Sequence, residues 1–174
     1  MKQPPDLGIF GAGSWGTALA IAWSRAGHRV ALWGRTPEKM LALAATRRHP
    51  RLGEVELPAT LHPVVDPEAA LAARLWISVL PTQASPTVWK DLLTRTRHRP
   101  ELLLHSSKGI LAEGHRCLSE ALEPLLRLPV GVLSGPTFAD EVSQGLPSAI
   151  VLALPDSVSD QRALELQHHL ATER

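Results

Sequence analysis

The segment with the most chemical content is Gly11-Ala12-Gly13-Ser14-Trp15-Gly16. Its G-x-G-x-x-G spacing lies between a short apolar run, Leu7-Gly8-Ile9-Phe10, and an alanine-rich helical pattern from Thr17 to Ala26. In that context the spacing reads as a dinucleotide phosphate turn. Gly11 would permit the tight turn. Gly13 would let the backbone approach a pyrophosphate, and Gly16 would let the helix pack closely on the strand. The helix start would offer unpaired N–H groups and a partial positive charge to the phosphates. The motif by itself is a weak signal, and a glycine-rich turn with no ligand is the alternative.

The end of the next strand, Val30-Ala31-Leu32-Trp33, refines the ligand. Folds of this kind that select NAD often place Asp or Glu about 20 residues beyond the glycines, against the ribose hydroxyls. This chain has Gly34-Arg35-Thr36 instead. Arg35 could stack on adenine or pair with a 2′-phosphate, so NADPH should be accepted, with NADH use left open.

Two later segments also follow strand candidates. Ser106-Ser107-Lys108-Gly109 comes after Leu102-Leu103-Leu104-His105, and Ser134-Gly135-Pro136-Thr137-Phe138-Ala139 comes after Val130-Gly131-Val132-Leu133. Lys108 should point into a ligand crevice, where an ammonium could hold a phosphate or polarise a carbonyl oxygen. The small residues of the second segment would bring backbone N–H groups and the Thr137 hydroxyl close to a ligand, with Phe138 excluding water. A plain turn into a helix is the alternative there. Leu80-Pro81-Thr82-Gln83 should line the nicotinamide side by the same logic.

The elements that must position these residues alternate. Strands are expected near 7–10, 30–33, 63–65, 75–79, 102–105, 130–133 and 149–153. Helices are expected near 17–26, 37–48, 67–73, 86–95 and 116–126, with a further one from Asp140 and a last one capped by Asp156-Ser157. Thr36-Pro37, Asp66-Pro67 and Ser85-Pro86 each offer a capping side chain followed by Pro at the first helical position. Gly27 is placed to end the first helix in a left-handed conformation. The segment 47–62, with Pro50, Gly53 and Pro58, reads as a loop. Such alternation implies a doubly wound α/β fold of the Rossmann type, a mostly parallel sheet with helices on both faces. Ligands then bind outside the C-terminal ends of the strands.

Composition bounds the rest. The chain has 174 residues, 44% of them hydrophobic and 20% charged, which is one domain of ordinary globular character. A net charge of +1 is too balanced for nucleic-acid binding by charge alone. No run approaches the ~18 apolar residues of a membrane span. The single cysteine, Cys117, excludes an internal disulfide and a cysteine-based metal site. It falls in a helical pattern and reads as a packed, inert thiol. Glu113-Gly114-His115 and His168-His169 lack metal-ligand spacing, so no metal is expected. Arg outnumbers Lys 14 to four, which sets Lys108 apart. No tyrosine is present to act as an acid, and the five Trp read as packing residues.

Taken together, Gly11–Ala20, Leu32–Arg35, Ser107-Lys108-Gly109-Ile110 and Leu133–Val142, in that order, closely resemble the NAD(P)-dependent glycerol-3-phosphate dehydrogenases of the bacterial type. The resemblance runs from Leu7 to about Leu154. It implies hydride transfer between NAD(P)H and dihydroxyacetone phosphate, giving sn-glycerol 3-phosphate for phospholipid synthesis, in a cytoplasmic and usually dimeric enzyme. By matching position it implies cofactor contacts at Ser14, Trp15, Arg35, Lys108 and Ala139, beside the glycines. It implies substrate contacts at Lys108, Gly135 and Thr137.

The family's Asn…Tyr-Leu-Pro-Gly segment is kept only in part, as His49-Pro50-Arg51-Leu52-Gly53-Glu54-Val55-Glu56-Leu57-Pro58. Family members continue into an all-helical domain that supplies the proton-donating lysine. On this reading 1–174 is the NAD(P)-binding domain alone, with little or no turnover. The alternatives are an NAD(P)H-sensing module without catalysis and the first half of a different two-domain hydroxyacid dehydrogenase.

Overall fold

The structure, a computed structural model, describes residues 3–172. Seven strands form one sheet: β1 (Leu7–Phe10), β2 (Val30–Trp33), β3 (Leu61–Val64), β4 (Leu75–Ser78), β5 (Leu103–His105), β6 (Val130–Ser134) and β7 (Val151–Ala153). Their order is β3-β2-β1-β4-β5-β6-β7. All neighbours run parallel except β6 and β7, which are antiparallel. The order reverses between β1 and β4, so a crevice opens above the C-terminal ends of those two strands.

Helices cover both faces: α1 (Ser14–Arg25), α2 (Pro37–Thr46), α3 (Glu68–Leu71), α4 (Ser85–Thr94), α5 (Leu118–Leu126), α6 (Ala139–Gln144) and α7 (Asp160–Leu170). On one face Leu19, Met40, Leu43, Val142 and Leu166 pack on Ile9, Leu32, Ile77 and Leu104. On the other, Leu71, Trp89, Leu118 and Leu122 pack on Phe10, Trp76 and Leu103. Strands buried on both faces are what continuous apolar runs require. Trp76 and Trp89 stack at 5.2 Å between centroids, and Phe10 lies 4.7 Å from Trp89.

The capping signals place the helices to within a few residues. Pro37 opens α2, and Asp66 Oδ1 accepts the Glu68 N–H ahead of α3. Gly27 follows α1 with φ +97°. Pro63 sits in β3, at the sheet edge, where a missing N–H breaks no ladder.

Four local expectations are corrected. α1 begins at Ser14, three residues early, because the glycine turn leads straight into it. Ser85 lies inside α4 rather than capping it, since a 3₁₀ turn over Thr82–Ala84 precedes the helix, and its Oγ is buried without a hydrogen bond. Ser159, not Asp156-Ser157, caps the last helix by accepting the Arg162 N–H. Cys117 is exposed, because it stands at the N-cap of α5 rather than on its buried stripe. Its N–H donates to Glu120 Oε2 at 2.9 Å.

Candidate functional site

The glycine turn leaves β1 at the switch point. Gly11 has φ +126°, and its N–H donates to the Trp33 carbonyl at 2.8 Å. A Cβ on Gly11 would lie 2.5 Å from the Val79 carbonyl oxygen, and one on Gly16 would lie 1.9 Å from the Gly11 carbonyl oxygen. Both distances are prohibitive, so these glycines bring β1, β4 and α1 into contact. Gly13 differs: a Cβ there would meet nothing within 4 Å. Among the described residues nothing fills the space over Gly13, so the absence of a side chain there is not explained by packing.

Gly13 is also the N-cap of α1, and Thr17 N–H is the first to bond back, to the Gly13 carbonyl at 2.9 Å. The N–H groups of Ser14, Trp15 and Gly16 therefore have no intrahelical acceptor. The first turn carries no acidic residue, so its positive end is not offset locally. This is a fit for an anionic group at Gly13.

Three other strand ends meet the same edge. Arg35 follows β2 and is exposed. Lys108 follows β5, also exposed, and Thr137 and Ala139 follow β6, both partly buried. Arg35 and the Lys108 segment lie on opposite sides of β1 in the strand order. An extended ligand crossing the switch point would meet one at each end.

Trp15 joins two of these segments. Its indole N–H donates to Ser106 Oγ at 2.7 Å, and the Ser106 hydroxyl donates on to the Leu133 carbonyl at 2.9 Å. The start of α1, the Lys108 loop and the end of β6 are thereby tied together. Ser106 was missed as a site residue by sequence reasoning; its only signal was a small polar residue directly after a strand. Gly135 has a packing reason to be glycine, since a Cβ there would stand 2.5 Å from the Ala149 carbonyl oxygen. Phe138 is 71% exposed at this edge.

His105, at the C-terminal end of β5, is 4% exposed, and neither ring nitrogen has a hydrogen-bond partner of good geometry. Burial pushes its pKa below the ordinary value of 6.5, against a smaller opposing effect of the Ser107 backbone. His49 is likewise held down by burial, opposed by the Ala12 backbone of the glycine turn. His49 Nδ1 accepts the Arg51 N–H at 3.2 Å. Its loop is pinned by Arg47, whose guanidinium donates to the carbonyls of Leu57, Pro58 and Leu61.

Among the described residues no group of three or more His, Cys, Asp or Glu is placed to hold a metal ion. No helix among them is long and apolar enough to cross a membrane. An apolar groove lined by Leu19, Trp23, Leu133, Leu146 and Leu170 runs along the C-terminal half of α1, away from the glycine turn.

Comparison with known proteins agrees with this geometry. The glycerol-3-phosphate dehydrogenase [NAD(P)+] of Thioalkalivibrio sulfidiphilus is 38% identical over 172 residues, covering 97% of this chain and 51% of that protein. The enzyme of the same name from Escherichia coli O1:K1 / APEC is 39% identical over 172 residues, covering 96% and 50%. The chain thus spans about half the length of these relatives. The crystal structure of glycerol-3-phosphate dehydrogenase from Coxiella burnetii superposes with a TM-score of 0.87 at 30% identity, covering 98% of this chain and 52% of that one. The model of the NAD-dependent glycerol-3-phosphate dehydrogenase N-terminus matches residues 6–160, and the chain belongs to that family.

Proposed function

We propose that residues 1–174 form the NAD(P)H-binding domain of a glycerol-3-phosphate dehydrogenase. The observation that carries this reading is the open space over Gly13, set on the unpaired N–H groups of α1 and built by two glycines that packing does require. Backbone amides of Ser14, Trp15 and Gly16 hold the pyrophosphate. Arg35 takes the adenosine end and admits the 2′-phosphate of NADPH. Ala139 and Lys108 contact the cofactor further along.

The bound cofactor supplies the hydride. Lys108 places its ammonium on the reacting oxygen of dihydroxyacetone phosphate and stabilises the charge that develops there. Gly135 and Thr137 hold the substrate against it. The general acid that protonates the alkoxide belongs to the half of the relatives that this chain does not match. Such a step is worth about 10²–10⁴-fold, so these residues alone bind cofactor and turn over little. The product, sn-glycerol 3-phosphate, feeds phospholipid synthesis in the cytoplasm, and the intact enzyme is a homodimer.

The test is a fluorescence titration with NADPH and NADH, repeated with dihydroxyacetone phosphate present. Saturable cofactor binding, and a triose phosphate signal lost in Lys108→Ala, are expected. Absence of cofactor binding would overturn the reading. Cofactor binding with no triose phosphate signal would point to a nucleotide-sensing module.

A further inference from the structure

The loop that carries Lys108 is held from outside by two neighbouring residues of the β4–α4 connection. Thr82 Oγ1 donates to the Lys108 carbonyl at 2.7 Å. Gln83 uses both ends of its amide: Nε2 donates to the Ile110 carbonyl at 2.8 Å, and Oε1 accepts the Ala112 N–H at 3.0 Å. The loop reaches back once, from Ser107 Oγ to the Leu80 carbonyl at 2.6 Å. Thr82 is 8% exposed, so its hydroxyl is committed to this bond. Gly109 lies between the clamped residues with φ +114°, a conformation that glycine adopts freely and that a side chain would disfavour.

We infer that Thr82 and Gln83 are positioning residues for Lys108: Thr82 holds its carbonyl and Gln83 holds the backbone just beyond it, at Ile110 and Ala112, so that its ammonium is presented to the ligand crevice. A lysine has a long, flexible stem, and the surrounding fold can restrict only where that stem starts. Fixing the start shortens the search for the productive geometry. The segment 80–83 therefore serves the site through the Lys108 loop, with both polar side chains spent on that loop rather than on a ligand. This inference rests on the proposed contact between Lys108 and the cofactor.

A double-mutant cycle on the full chain tests it, with NADPH affinity and thermal unfolding read on every variant. Lys108→Ala should weaken NADPH binding by about 10-fold, in line with a lost charge-assisted bond. Thr82→Val and Gln83→Ala should each weaken it by about 3- to 10-fold, the range of a lost neutral hydrogen bond. Added to Lys108→Ala, neither should weaken it further. Thr82→Ser, which keeps the hydroxyl, should restore binding to within about 2-fold of the parent. Equal losses with and without Lys108 would show a purely structural role and overturn the inference. So would single variants that melt lower yet bind as the parent does. If Lys108→Ala binds like the parent, the cofactor role of Lys108 fails first, and the inference falls with it.

Discussion

The Trp15 indole and the Ser106 hydroxyl, 91 residues apart in sequence, meet at 2.7 Å and join the start of α1 to the end of β5. Because Ser106 also donates to Leu133, it joins the start of α1 to the ends of β5 and β6 at the ligand edge. Ser106→Ala would leave the Leu133 carbonyl and the indole N–H without their partner. We expect it to cost about 1–3 kcal/mol in urea unfolding. NADPH affinity should fall as well. Trp15→Phe, which spares the Ser106–Leu133 bond, should cost less stability.

Gly13 and Gly16 of the turn should differ in behaviour. Gly13→Ala has room for its methyl group in the protein, so its melting temperature should match the parent's. Its NADPH affinity should drop about 10-fold or more, because the methyl occupies the approach of the pyrophosphate. Gly16→Ala drives a methyl into the Gly11 carbonyl and should lose about 1–3 kcal/mol of stability. A Gly13→Ala variant that binds normally would remove the main support for the dinucleotide site.

Arg35 should decide between the two cofactors. Arg35→Ala should weaken NADPH by about 10-fold or more, the scale of a charge-assisted pair with phosphate. NADH should change far less. Equal losses for both cofactors, measured by parallel titrations, would assign Arg35 to adenine stacking instead.

Acid should destabilise the protein through His105. Burial holds its folded pKa below 6.5, so the unfolded chain takes up the proton more readily. Its contribution is complete above pH 6.5 and is lost as pH falls toward the lowered folded value. His49 and His62, also held down by burial, act in the same direction. His105→Leu should remain within about 1 kcal/mol of the parent at pH 7.5, because neither ring nitrogen is well partnered. Between pH 7.5 and 5.5 it should lose less stability than the parent. An unchanged pH profile, followed by thermal unfolding, would count against His105 as a source.

Asp6 governs the more acidic range. Its carboxylate accepts the backbone N–H and two guanidinium N–H groups of Arg29, which hold its pKa below the ordinary 3.8. Its stabilisation is complete above pH 3.8 and fades as pH falls through the lowered value. Asp6→Asn should show a shallower loss of stability below pH 4 than the parent in acid titrations followed by circular dichroism. An acid limb as steep as the parent's would reject this assignment.

The sequence alone determined the alternation of strands and helices, the glycine turn, and the candidates Arg35, Lys108 and Thr137 along one edge. These signals act over a few residues: apolar runs of strand length, a proline at a helix start, glycines where a backbone turns. Local chemistry of that range is fully present in the chain. Tertiary structure alone decided which segments touch. That Trp15 finds Ser106, and that Thr82 and Gln83 grip the Lys108 loop, follows from β1, β4 and β5 being neighbours in the sheet. The same holds for the return of β7 antiparallel to β6 and for the burial of His105 without a good partner. Hydrogen bonds between residues 26 to 91 positions apart leave no periodic trace. Their partners are chosen by strand order and crossover geometry, which emerge only when the two faces of the sheet are buried together.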